Sequence, residues 1–167
     1  MKTLYLMRHA KSSRKDGSLE DFDRPLNKRG EHDAPFMGKM MNQKGIILQE
    51  IISSPAERAL STARLFCTGI EFPHQNVKID NNLYASSSSA MLVVIKNVNI
   101  NVESVLIIGH NPGLTDLSNY LSDFPIDNIP TCGMVELFFN RKSWQEIELG
   151  SCKMGFFEYP KKYFESL

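Results

Sequence analysis

Four short apolar runs, each followed by a segment with the chemistry of a helix start, restrict the fold more than any other feature of the chain. They lie at about 2–7, 50–53, 77–80 and 104–109. Runs of four to eight apolar residues bounded by polar ones read as buried strands. The clearest is Val105-Leu106-Ile107-Ile108, which stops at Gly109-His110. Strands alternating with helices imply parallel pairing through right-handed crossovers. The expected fold class is α/β: a three-layer sandwich with a mostly parallel central sheet, helices on both faces and an antiparallel edge. That edge comes from two last strands at 134–139 and 143–149, joined by a tight turn at 140–142. No repeat or linker divides the 167 residues, so one domain is expected over 1–167.

The helix signals are local. Asn27 fits the cap of a helix to about Gln43, with Gly45 just past its end. Pro35 conflicts with that helix, which is bent there or restarts near Asp33. Ser54, Pro55 and Glu57 match a capping box, opening a helix to about Cys67 that Gly69 ends. The serine cluster at 86–89 favours a helix over 90–95. Asn111 fits a cap with Pro112 in the first turn of a helix reaching Leu121. The aromatic tail from Phe156 to Leu167 is expected to pack on the body.

Composition excludes several partners. Lys plus Arg equals Asp plus Glu at 19 each, so nothing in the overall charge favours nucleic acid or an anionic membrane. No window reaches the roughly 18 apolar residues of a membrane span. Cys67, Cys132 and Cys152 lack metal-ligand spacing and read as buried free thiols in a reducing compartment. A cytoplasmic protein is expected from these features; a monomer is the expected state, though no feature of the sequence argues for it.

The strand ends carry the chemistry. The first delivers Arg8 and His9, the second leads to Arg58, and the fourth delivers His110. Open α/β sheets bind ligands at the carboxyl ends of their strands. Guanidinium groups and helix N-termini gathered there favour a phosphate or carboxylate. No Asp or Glu joins the histidines at a strand end, so no metal and no cofactor is expected. His32 and His74 have no such context and are assigned to the surface.

Three segments resemble the histidine phosphatase superfamily, the phosphoglycerate-mutase-like proteins. They are Arg8-His9-Ala10, Ser53-Ser54-Pro55-Ala56-Glu57-Arg58-Ala59 and Gly109-His110-Asn111-Pro112-Gly113. Arg24-Pro25-Leu26-Asn27-Lys28-Arg29-Gly30 and Leu83-Tyr84-Ala85 are similar to its SixA-type branch, the small protein phosphohistidine phosphatases. The resemblance implies a metal-independent phosphatase in which His9 is the nucleophile and is transiently phosphorylated. Arg8, Arg58 and His110 would hold the phosphoryl oxygens, with Lys11, Ser12 and Asn111 as further contacts. His9 must attack as a neutral ring, with one nitrogen donating to a backbone carbonyl and the other facing the substrate.

Many members of the superfamily place a Glu or Asp after the third strand as general acid. Here Asn82-Leu83-Tyr84-Ala85-Ser86 has none. An alcohol leaves poorly without a proton donor, whereas a protonated imidazole leaves readily. The absence favours phosphohistidine on a partner protein, such as a phosphotransfer domain in signal transduction. Glu20, Asp21 or Asp23 could instead reach the site, which would suit small phosphomonoesters; a solvated acidic loop is the better reading of them. A phosphate-recognition module without turnover is a third reading, and the intact nucleophile argues against it.

Overall fold

The computed structural model describes residues 1–164. Six strands form one sheet: β1 (Lys2–Arg8), β2 (Glu50–Ser53), β3 (Lys78–Ile79), β4 (Ser104–Gly109), β5 (Met134–Phe139) and β6 (Cys152–Glu158). Their order is β3-β2-β4-β1-β5-β6. The first four in that order are mutually parallel, and β5 and β6 complete the sheet antiparallel. This is the expected mostly parallel sheet with an antiparallel edge.

Alternation along the strands divides the core. Leu4, Leu6, Val105 and Ile107 face one side. There they pack on α3 (Ser88–Lys96) and α4 (Gly113–Leu121) through Met91, Ile95, Leu114 and Leu117. Tyr5, Met7, Leu106 and Ile108 face the other side. There they meet α1 (Lys28–Gln43) and α2 (Glu57–Ile70) through Met37, Met41, Ala63 and Phe66. Each such side chain fully buried contributes about 1.5–3 kcal/mol, so both layers are strongly held.

Several boundaries differ from expectation. α1 runs unbroken through Pro35, capped by Asn27, whose side chain accepts from Gly30 N at 2.9 Å. Packing against α2 overrides the proline. A Cβ on Gly38 would collide with the Phe66 carbonyl, and one on Gly69 with the Pro35 carbonyl, so the two helix backbones touch. Gly69 therefore lies inside α2 as a packing residue and does not terminate it; Glu71, at φ 65°, closes the helix. α2 also starts at Glu57, with no side-chain cap, because the cap position falls on Ala56; Ser54, two residues earlier, accepts from Ala56 N at 3.2 Å. α4 starts at Gly113, later than Asn111 and Pro112.

The expected strand at 143–149 is a short 3-10 turn at Trp144–Glu146, capped by Ser143. Trp144 is fully buried beneath the sheet, its indole N–H donating to Val102 O at 2.8 Å. The edge strand falls later, at β6, and takes in Phe156 and Phe157 from the expected tail. The rest of that tail forms a short helix, α5 (Lys161–Phe164), whose Phe164 ring lies 4.6 Å from Phe36. Residues 165–167 of the tail lie outside the described residues. The three cysteines are buried and unpaired. Among the described residues no helix is long and apolar enough to cross a membrane.

Candidate active site

β1 and β4 lie side by side in parallel register, Arg8 opposite Gly109, so His9 and His110 leave the sheet together. His9 N donates to Gly109 O at 3.1 Å, and the two imidazole rings lie 5.0 Å apart. β2, on the other side of β4, leads through Ser54 into α2, which carries Arg58 in its first turn. Arg8, His9, Arg58 and His110 thus line one open cleft of about 470 Å³.

The His9 ring has a defined orientation. Ala10 O lies 2.8 Å from Nδ1, and a carbonyl can only accept, so Nδ1 carries the proton. Nε2 is left with its lone pair, and Arg58 Nε donates to it at 3.3 Å. Ala10 N in turn donates to Thr62 Oγ1 of α2 at 2.9 Å, fixing the backbone at the nucleophile candidate. Burial, reinforced by the charges of His110, Arg58 and Arg8, pushes the His9 pKa down to about 3. The ring is neutral at pH 7.

His110 is held by Ser54, whose Oγ lies 2.8 Å from Nε2, while the buried Nδ1 has no partner. Burial and Arg58 lower its pKa to about 4. Arg8 donates from Nη1 to Ile129 O at 3.1 Å, and its buried Nε has no acceptor. Burial, then repulsion from Arg58, lowers its pKa. Buried polar atoms without partners are costly and rare, and here both belong to residues that line the cleft.

The other candidates divide. Lys11 is an exposed part of the rim, beside Arg14 and Lys15. Ser12 lines the cleft, but its hydroxyl accepts from Arg24 Nη1 at 2.7 Å. Asn111 also lines it; its Nδ2 donates to Ile129 O at 2.9 Å and its Oδ1 accepts from Thr115 Oγ1 at 2.8 Å, so it shapes the wall. His32 and His74 are exposed, away from the cleft. Among the described residues no group of three His, Cys, Asp or Glu is placed to hold a metal ion.

Sequence reasoning missed Arg24, Tyr84 and the placement of Asp21. The loop at 20–23 is not simply solvated: Asp21 Oδ2 accepts from Arg58 Nη2 at 3.0 Å and from the Tyr84 hydroxyl at 2.7 Å. Arg24, buried in the wall, donates to Asp21 Oδ1 at 3.0 Å. The Tyr84 hydroxyl and the two guanidinium groups hold the Asp21 carboxyl well below the usual carboxylate range. Glu20 and Asp23 remain exposed. The available signal was the Arg24-Pro25-Leu26 and Leu83-Tyr84-Ala85 segments, whose positions in space the sequence does not give.

Comparison with known proteins bears on the family and the fold. Residues 4–84 match the model of the histidine phosphatase superfamily (branch 1). An uncharacterised chloroplastic protein of Arabidopsis thaliana is 30% identical over 151 residues, covering 86% of this chain and 69% of the relative. The structure of the protein histidine phosphatase SixA complexed with tungstate superposes with a TM-score of 0.82 at 18% identity, covering 96% of this chain and 98% of that one. A mycobacterial glucosyl-3-phosphoglycerate phosphatase superposes with a TM-score of 0.70 at 13% identity, covering 96% and 100%. With residues 4–84 matching the superfamily's model and a relative 30% identical over 86% of this chain and 69% of its own length, the chain belongs to the histidine phosphatase superfamily.

Proposed function

We propose that the protein removes phosphate from phosphohistidine on a partner protein, through a phosphohistidine intermediate at His9. The observation that carries this reading is the His9 ring. It is neutral, its Nδ1 proton is committed to Ala10 O, and its Nε2 lone pair lies among Arg8, Arg58 and His110. In the proposed reaction Nε2 attacks phosphorus in line. The bond between phosphorus and the substrate ring nitrogen breaks, and the substrate imidazole leaves neutral, keeping the proton on its other nitrogen. Phosphorylation makes the His9 ring cationic, and the Ala10 carbonyl facing Nδ1–H offsets that charge. Arg8, Arg58 and His110 hold the phosphoryl oxygens through the transition state. Water then attacks phosphorus, and inorganic phosphate departs from Nε2.

The leaving group follows from what the cleft lacks in proton donors. Asp21 is held ionised and has no proton to give near neutral pH. Asp80 caps the 3-10 turn at Asn81–Leu83 by accepting from Asn82 N at 2.9 Å. An alkoxide would leave unaided, whereas a protonated imidazole needs no acid. A SixA-like fold, an open cleft and the exposed rim of Lys11, Arg14 and Lys15 suit a phosphoryl group displayed on a protein. A second reading, a phosphatase of small phosphorylated metabolites, is favoured by one observation: the same rim could take a second anionic group.

The test uses a phosphotransfer domain carrying labelled phosphohistidine beside a panel of sugar phosphates. The expected result is faster turnover of the protein substrate, with rapid quench trapping acid-labile phosphate on His9. His9→Ala should lower the rate at least about 10³-fold. Faster turnover of a sugar phosphate would transfer the assignment to the second reading, and label on any other residue would remove the nucleophile.

A further inference from the structure

The loop from Lys11 to Asn27 is stitched together at its base. Ser13 N donates to Pro25 O at 2.8 Å, and Asn27 N donates to Lys11 O at 3.0 Å. Arg24 ties its wall to Ser12. The one carboxylate the loop presents to the cleft is Asp21, and each acceptor oxygen of Asp21 is in use. Its main-chain oxygen accepts from Arg58 Nη1 at 2.7 Å. Its Oδ2 accepts from Arg58 Nη2 and the Tyr84 hydroxyl, and its Oδ1 from Arg24 Nε and Nη2.

One residue therefore occupies both terminal nitrogens of Arg58. The guanidinium is a rigid planar fork, so fixing two corners fixes the third. That third donor is Nε–H, which falls on His9 Nε2. The alternatives for a carboxylate in such a place are a general acid, which its ionised state opposes, and a plug that competes with the substrate anion. A plug would have no need of Tyr84 and Arg24 behind it. Two supports on a carboxylate that already holds an ion pair are what a fixed bracket requires.

We propose that Asp21 is a positioning residue for the phosphoryl-transfer step: it orients the Arg58 guanidinium so that Nε–H is aimed where His9 meets phosphorus, and Tyr84 and Arg24 hold Asp21 in turn. This rests on the reading of His9 and Arg58 given above. Asp21 acts through Arg58, and its charge weakens phosphate binding while its geometry speeds the transfer. The two effects have opposite signs in the kinetics. Removing the charge should slow turnover and tighten the binding of inorganic phosphate.

The experiment measures kcat and inhibition by inorganic phosphate for wild type, Asp21→Asn, Tyr84→Phe, Arg58→Ala and the Asp21→Asn/Arg58→Ala pair. Asp21→Asn is expected to lower kcat about 10- to 100-fold, the scale of a small misplacement at a reacting centre, with phosphate inhibiting at lower concentration. Tyr84→Phe should move kcat the same way by a smaller factor. In the Arg58→Ala background, Asp21→Asn should change kcat less than about twofold, because residues acting as one unit are not additive. An unchanged or raised kcat in Asp21→Asn would overturn the proposal, as a plug would be relieved. So would an equal loss in the Arg58→Ala background. If the wild type ignores phosphohistidine but hydrolyses p-nitrophenyl phosphate, the substrate assignment fails and the same comparison on that ester still decides the role of Asp21. A wild type inactive on both removes the nucleophile and this inference with it.

Discussion

The two ends of β1 each carry a cation, Lys2 buried and Arg8 half-buried at the cleft, and the protein treats them in opposite ways. Lys2 is only 1% exposed. Its Nζ donates to Ile100 O at 2.7 Å, Val102 O at 2.9 Å and Glu103 Oε1 at 3.2 Å, and sits 5.3 Å above the Trp144 ring. An ammonium has three protons, and all three are placed. Arg8 has five N–H donors, one acceptor at Ile129 O and a second cation, Arg58, near enough to lower its pKa. Lys2 is complete as it stands. Arg8 keeps donors without a protein acceptor among the described residues. Under the proposed function, the difference is between a cation that holds the fold together and one that an incoming phosphoryl group would complete.

Substitution at the two ends should give the largest contrast. Arg8→Met is expected to lower kcat/KM about 10²–10³-fold, the usual cost of one donor to a developing charge, while stability to urea moves by less than about 1 kcal/mol. Lys2→Met should leave the kinetics of the folded enzyme unchanged and cost about 2–4 kcal/mol, because buried acceptors lose a charged donor. Matching losses of stability at both positions would break the contrast. A smaller effect tests the same distinction without chemistry. Inorganic phosphate at 100 times its Kd should stabilise the wild type and Lys2→Met by about 2.7 kcal/mol, and Arg8→Met by much less, read from thermal unfolding.

The smallest effect, per pH unit, comes from the histidines beside Arg8. Their pKa values are near 3 and 4 when folded, against about 6.5 for an ordinary imidazole. The unfolded chain therefore binds more protons in that interval. The stability tied to these rings is fully present above about pH 6.5 and is lost as pH falls toward 4 and then 3. The slope is at most about 1.4 kcal/mol per pH unit for each ring. His110→Asn should remove one ring's share, measured by urea unfolding at pH 7 and pH 5.

The sheet was legible because its signals are local. Val105 to Ile108 reads as buried from four consecutive residues, and alternation assigns each side chain to a layer. The histidines and arginines were legible because each ends or follows such a strand. Asp21 was not, because its partners lie 37 and 63 residues along the chain, at Arg58 and Tyr84. Ser54 matched a capping box by spacing, yet α2 begins later, at Glu57, and the Ser54 hydroxyl serves two partners, accepting from Ala56 N and lying 2.8 Å from His110 Nε2. Trp144 sat in an alternating stretch that reads as strand. Its bulk fills the space under β5, and that burial outweighs local propensity.

The glycine contact between α1 and α2 has a mechanical consequence. Where backbone rests on backbone, no side chain can switch rotamer to absorb displacement, so the two helices move as one plate. Arg58 rides on α2, and the loop bearing Asp21 and Arg24 runs into the start of α1, where a Cβ on Gly30 would strike the Lys11 carbonyl. His9 and His110 ride on the sheet. Ala10 N donates to Thr62 Oγ1 of α2, so the plate that carries the Arg58–Asp21 pair is also tied to the sheet end at His9.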